Sequence, residues 1–433
     1  MKTTVIGKAY NFNVCFGAQT LTGNAGIVLM RDFVEKIWLP KLIDDNLNVK
    51  GRQRGYPESE NVLSLCWNAI LGGNCLLDLN VLRGDAGLPE LLGVESIMAP
   101  TTAGEFLRCF KIGQIGDLRR INRLAAESVR SQQKSDRLTI DLDASLYEQC
   151  SRNKQGSRMN YKGEVGYYPL FAFWAEEGEM LQAHLQSGNA GAASKSVWFL
   201  EQALIQAPKN LSRYLRADSE FYKWELLDFC DHQEEKITYA ITADQSIGLM
   251  EEITSLPEKS WKFYAPGAQV VELMYAPTNH EAHRYVVKRQ QVKDKKKGLI
   301  WRHHLVITNE YRLSPKKLMK WALGRCTMEN LIKEHKNDFG FEKMPTQRFH
   351  ANWAWLLISQ LAWNLMAWFK RLYLPQECHS MTLGTLRHRL LKVAGKIVHQ
   401  GRQLFLILTE KNYFQDWWSF ALNQLSPTTG SSS

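Results

Sequence analysis

The chain has 433 residues, 45% hydrophobic and 23% charged, which suits a folded protein of two or three domains and excludes a disordered one. Lysine and arginine exceed the acids by 54 to 44, and this net charge of +10 favours a polyanionic partner. No apolar leader follows Met1–Tyr10, and the most apolar stretch, 351–369, carries Asn352, Ser359, Gln360 and Asn364; a buried core helix in a soluble, cytoplasmic protein is expected, with no membrane span.

In chain order, Leu21–Leu47 and Glu60–Leu82 read as amphipathic helices around the basic turn Gly51–Pro57, and Met98–Val129 as a further helical pair. Residues 1–130 form a helical N-terminal region. Its Arg52, Arg54, Lys111, Arg119, Arg120 and Arg123 are candidates for contact with a polyanion. The pattern then changes to alternation in Arg137–Asp143 (R-L-T-I-D-L-D), with further strands at Tyr167–Trp174, Gly178–Leu185, Tyr214–Ala217 and Lys236–Ala243. Helices are expected at Ser194–Ala207 and about Glu220–Cys230. Strands alternating with helices predict a mixed α/β sheet over 131–247. Residues 248–308 read as nearly all β, closing on the hairpin turn Lys293–Gly298. Helices return at Ser314–Leu323, Met328–His335, 351–369 and about Leu383–Gln400, and 427–433 is a disordered tail. The core is thus expected to resume over 309–375, with a helical C-terminal region at 376–426.

The eight cysteines include no C-x-x-C pair, and the histidine pairs His280/His283 and His303/His304 have no thiolate nearby, so any metal would have oxygen ligands. Three acids stand out by context. Asp143 ends a strand in D-L-D-A-S, with Asp141 on the same strand face as its rival. Asp218 ends another strand in R-A-D-S-E-F-Y, and Glu329 lies in G-R-C-T-M-E-N-L-I-K-E-H-K. Carboxylates at strand ends point into the crevice where α/β sheets bind ligands. On a helix, Arg325, Glu329 and Lys336 share one face, because steps of four and seven residues return to within about 40° and 20°. Taken alone, that stripe reads as a surface ion-pair row rather than a phosphate clamp.

These segments resemble bacterial insertion-sequence transposases of the D-D-E type, the branch whose last motif reads Y-x-x-R-x-x-x-E-x(6)-K. Arg325, Glu329 and Lys336 fit that spacing without a gap, and the likeness continues through G-N-A at 188–190, M-P-T at 344–346, A-N-W-A-W from Ala351 and T-L-R-H-R-L-L from Thr385. Two positions depart from it: Ala322 stands where the motif has tyrosine, and Cys326 where glycine is common. The first removes a hydroxyl contact to phosphate but no metal ligand.

The resemblance implies an α/β (α+β) fold, an RNase H-like catalytic core interrupted by a mostly-β subdomain at 248–308. It implies a DNA transposase with Asp143, Asp218 and Glu329 as catalytic metal ligands for two Mg²⁺ ions, Mn²⁺ substituting. Arg325 and Lys336 would grip phosphates. The implied partners are double-stranded DNA, as terminal inverted repeats and as target, and a second copy in a homodimer on DNA at the bacterial nucleoid. Lys293, Lys295, Lys296 and Lys297 are expected to touch the DNA backbone, and Trp261 and Trp301 either to pack in the core or to stack on an unpaired base. The alternatives are a nuclease without strand transfer and a DNA-binding derivative without catalysis.

Overall fold

The computed structural model describes residues 4–9, 12–16, 20–50, 55–160, 162–296 and 298–426. Arg52, Arg54, Lys297 and the tail 427–433 lie outside the described residues. The chain divides into two compact units. One comprises Met1–Ile121, Asp338–Gly340 and Leu361–Ser433, and the other Asn122–Asn337 and Phe341–Gln360.

The second unit is built on a nine-stranded sheet. Its strands are β1 (Arg137–Ala144), β2 (Leu170–Trp174), β3 (Glu179–His184), β4 (Ser212–Ala217), β5 (Thr238–Thr242), β6 (Lys262–Ala265), β7 (Ala268–Tyr275), β8 (His283–Asp294) and β9 (Gly298–Thr308). The helices that concern the site are α1 (Ser196–Gln206), α2 (Trp224–His232), α3 (Ile247–Ser255), α4 (Pro315–Leu323), α5 (Cys326–Phe339) and α6 (Phe349–Leu372). Five strands in the order β3-β2-β1-β4-β5 form the core; β1, β4 and β5 run parallel, while β2 and β3 form an antiparallel meander. This is the mixed α/β sheet expected over 131–247. The β-rich segment does not form a separate sheet: β9 pairs antiparallel with β5 and carries β8, β7 and β6 outward in one continuous ladder. Within 248–308, where nearly all β is expected, α3 occupies Ile247–Ser255 and buries Leu249 and Ile253 in the core.

The period of two along β1 explains the site. Leu138, Ile140 and Leu142 point into a hydrophobic cluster with Trp174, Phe199, Leu200, Leu215 and Leu226, which covers one face of the sheet with α1 and α2. Thr139, Asp141 and Asp143 therefore point to the opposite face, where they too are buried. Helix α5 packs over that face, His335 lying edge-on to Phe171 and bonding the Tyr147 hydroxyl through Nδ1 at 3.0 Å. The expected core helix is present as α6, and its central amides find partners. Asn352 accepts from the Thr346 amide and donates to the Tyr167 hydroxyl, and Gln360 donates to the Met180 and Leu181 carbonyls. Among the described residues no helix is long and apolar enough to cross a membrane.

The other unit holds the strand pair Thr4–Ala9 and Phe12–Phe16, several helices, and a three-stranded sheet of Leu21–Thr22, Gly395–Gln400 and Gln403–Leu408. Three expectations change here. Glu60–Leu82 is not one helix but helix Glu58–Ile70, a turn, and a separate short helix Leu79–Arg83. Leu21–Leu47 is not one helix but a short strand followed by helices Ile27–Lys36 and Leu39–Asn46; Trp38, at φ 56°, breaks them just ahead of Pro40. Nor is Leu383–Gln400 one helix, so the C-terminal region is not purely helical. Helix Leu383–Leu386 ends in a π turn at Arg387–Leu391, and Gly395–Gln400 is a strand. The causes are long-range. The buried Arg387 guanidinium donates to the carbonyls of Ala69 and Ile70, and Ile397 and Val398 pair with Leu406 and Phe405. Seven cysteines among the described residues are free thiols.

Candidate active site

Strand register places the first two acids. Arg216 on β4 lies beside Asp141 on the parallel strand β1, and two residues further along each chain come Asp143 and Asp218. Both therefore emerge at the carboxyl ends of neighbouring parallel strands, the ligand-binding end of an α/β sheet. The rival Asp141 is otherwise engaged. It is buried, and its two carboxylate oxygens each accept a 2.7 Å hydrogen bond from the Arg216 guanidinium in a bidentate pair. The remaining Arg216 nitrogen donates to the Trp321 carbonyl at the end of α4 at 2.9 Å. One guanidinium thus ties β1, β4 and the turn that leads into α5.

Arg325 immediately precedes α5, and Glu329 lies in that helix's first turn. The Arg325 guanidinium donates to Asp143 Oδ2 at 3.2 Å and to Glu329 Oε1 at 3.1 Å. Asp218, half-buried, caps the turn Ser219–Phe221 by accepting from the Glu220 amide; burial raises its carboxyl, and the charge of Arg325 draws it back down in part. Two acids from distant segments thus bond one cation, and the third, Asp218, lies within the reach of its charge. Lys336, two turns beyond Glu329, donates to the Leu146 carbonyl at 2.7 Å and lies over the Tyr147 ring, on the loop that follows Asp143.

The Asp143 carboxyl is raised to about 6, chiefly by burial; Arg325 pulls it down, and Asp218 and Glu329 add to the rise. Asp218 is likewise raised, by burial first. Carboxylates crowded together in a poorly solvated crevice are hard oxygen donors that a divalent cation would neutralise, so the donor chemistry fits such an ion. In the arrangement described, with Arg325 bridging Asp143 and Glu329, no three acidic, histidine or cysteine side chains among the described residues already form a metal cage.

Several other residues singled out in the sequence take different places. Lys293, Lys295 and Lys296 are exposed at the tip of the β8–β9 hairpin. Trp261 is buried, Trp301 is 36% exposed, and the Arg289 guanidinium stacks between them, 4.0 Å and 4.4 Å from the two ring centres, while pairing with Glu258. Core packing is thus the role Trp261 fills. Arg123 pairs with Glu127 on its own helix, and Lys111 and Arg120 are exposed. Arg216, Tyr168 and Glu220 were not singled out. The signal for Arg216 was present: it stands two residues before Asp218 as Asp141 stands two before Asp143, a repeat that parallel pairing turns into an ion pair.

The sequence matches the family described as transposase DDE domain group 1 over residues 6–429. The chain belongs to that family. It is accordingly a DNA transposase, an enzyme that cleaves and transfers DNA strands, of a family that generally uses divalent metals. No curated protein matches it. Among solved structures it is similar to a piggyBac transposase synaptic complex with hairpin DNA, at 11% identity and a TM-score of 0.42 over 95% of this chain and 85% of that one.

Proposed function

We propose that this transposase serves a bacterial insertion sequence: it binds the element's terminal inverted repeats as a homodimer at the nucleoid, cuts them, and joins them to target DNA. Residues 1–130 recognise the ends, and 131–247 with 309–375 carry the chemistry. The observation that carries this reading is the convergence of Asp143, Asp218 and Glu329, from three separate segments, around Arg325.

Asp143, Asp218 and Glu329 would hold Mg²⁺, two ions being expected; Mn²⁺ has similar ligand preferences. When bound, the metal would supply Lewis-acid activation of a water or 3′-hydroxyl and stabilisation of the leaving oxygen. The protein's own groups supply binding and orientation. Arg325 releases Asp143 and Glu329 and turns its planar fork to a phosphate oxygen, while Lys336, anchored on the Leu146 carbonyl, contributes a point charge beside the same phosphate. Ala322 offers no hydroxyl there, which leaves phosphate binding to these two cations. The exposed lysines of the β8–β9 hairpin add affinity for the DNA backbone that is independent of sequence.

The test uses DNA flanking the gene as the source of ends. Purified protein with Mg²⁺ should release those ends and join them to a plasmid target. Asp143→Asn, Asp218→Asn and Glu329→Gln should each abolish both steps and leave end binding intact, because a neutral amide is a poor ligand for a hard cation. Cleaved ends that are never joined would favour the nuclease reading. The absence of any Mg²⁺-dependent cleavage by the wild-type chain would overturn the proposal.

A further inference from the structure

The three-stranded sheet that includes Gly395–Gln400 ends on an open edge. Its strand order places Gln403–Leu408 outermost, and among the described residues no further strand pairs with that side. The strand is uncharged and almost wholly apolar (Q-L-F-L-I-L), yet Leu404 is 59% and Ile407 52% exposed, and Phe405 is exposed between them. Folded proteins blunt such an edge with charges, proline or a bulge, because its unpaired backbone groups are a template for another chain. This strand has none of the three.

Hairpin geometry decides which backbone groups are free. Gln400 and Gln403 close a two-residue turn of Gly401, at φ 65°, and Arg402, so they form a hydrogen-bonded pair, and such pairs then alternate along the ladder. Val398 with Phe405 and Lys396 with Ile407 are bonded pairs, which leaves Leu404, Leu406 and Leu408 with their N–H and C=O groups turned outward. The Ile397 amide agrees with this phase: it stands opposite Leu406 but donates away from that strand, to the Thr20 carbonyl at 3.0 Å. The period of two sorts the side chains as well. Leu404, Leu406 and Leu408 share a face with buried Ile397, and Phe405 and Ile407 take the other.

We propose that this edge pairs antiparallel with the same edge of a second copy, joining the two sheets into one. The inference rests on the homodimer reading above and gives it a contact that forms without DNA. Two requirements narrow the register. Residues with outward backbone groups must meet their own kind, and the buried faces of both sheets must stay on one side, because a slip of one residue would turn every side chain over. Centring the contact on Leu406 meets both: Leu406 lies opposite Leu406, Leu404 opposite Leu408 and Phe405 opposite Ile407, so every outward N–H finds a carbonyl and every cross-strand pair is apolar. The same register brings the exposed Arg402, in the turn, abreast of the exposed Glu410 of the second copy, and symmetry repeats that charge pair at the other end. The edge is thus complementary to its own reverse in hydrogen bonding, apolarity and charge. A contact of this two-fold kind closes at the dimer.

The test is the mass of the full chain in solution without DNA, by light scattering and by sedimentation at low ionic strength. The wild type should be a dimer. Arg402→Glu and Glu410→Arg each set like charges abreast at both ends and should weaken the dimer at least tenfold. The double variant Arg402→Glu/Glu410→Arg should return it to within threefold of wild type, which a general loss of stability would not do. Leu404→Pro removes an outward N–H but no hydrogen bond of the hairpin itself, and should give a folded monomer with the wild-type circular dichroism; the charge variants decide alone if it does not fold. The proposal is overturned if the wild type is monomeric or larger than a dimer, if either single charge variant or folded Leu404→Pro dimerises as wild type does, or if the double variant stays as weak as the single ones. Mass measured on end DNA separates the failures. A dimer there leaves the homodimer reading standing and removes only the edge contact, and a monomer there removes both.

Discussion

Replacing Arg216 should damage this protein in two separable ways, because its guanidinium performs two jobs. Nε and one terminal nitrogen grip Asp141 at 2.7 Å, and the other terminal nitrogen holds the Trp321 carbonyl at 2.9 Å. Both members of the ion pair are buried, with side chains 9% and 2% exposed. Removing one partner strands the other charge, so Arg216→Met or Asp141→Leu should each cost about 3–5 kcal/mol of stability. The double variant leaves no charge to strand and should regain most of that loss, giving a coupling energy of at least about 2 kcal/mol in a double-mutant cycle. Its activity should not return with its stability, because the Trp321 carbonyl then has no anchor and the turn carrying Arg325 and Glu329 loosens. A misplacement of about 1 Å at a catalytic group can cost 100-fold in rate. The assay is denaturant unfolding of the four proteins beside Mg²⁺-dependent cleavage of the ends. Additive single costs of under about 1 kcal/mol, or full cleavage by the double variant, would refute the reasoning.

The Asp143 carboxyl, raised from 3.8 to about 6, implies an energetic cost borne by the folded metal-free protein at neutral pH. Its stabilising contribution is complete below pH 3.8 and is lost as pH rises through 6, so in chelator Asp143→Asn should equal wild type near pH 3.5 and exceed it by about 1–3 kcal/mol at pH 7.5; thermal melts across that range check it, and no divergence would deny the crowding. Saturating Mg²⁺ should reverse the order by stabilising only the wild type, as ligand linkage requires. Arg325→Lys keeps the charge and loses the fork, and should slow cleavage at least tenfold while changing stability by under about 1 kcal/mol, read by single-turnover kinetics and melting. Neutralising Lys293, Lys295 and Lys296 should reduce the slope of log affinity against log salt by roughly 0.9 for each phosphate that is no longer neutralised, measured by titration of end DNA; an unchanged slope would mean that the hairpin tip stays in solvent.

Much of the catalytic unit was already written in local pattern. Alternation in R-L-T-I-D-L-D specifies a strand and places Asp141 and Asp143 on one face, whatever the fold around it. A step of four residues along one helical turn likewise brings Glu329 within reach of Arg325. Long periodic segments such as α6 need no partner to declare themselves. Other features were decided only by tertiary structure. Alternation alone does not tell Asp141 from Asp143: Arg216, 75 residues away, pairs with Asp141 and leaves Asp143 outside that pair. The strand at Gly395–Gln400 reads as helix until Gln403–Leu408 is there to pair with it, and the β-rich segment reads as a separate body until β9 is laid against β5. Local sequence specifies backbone preference and the face a side chain takes; which distant charge or strand meets that face depends on non-local pairing.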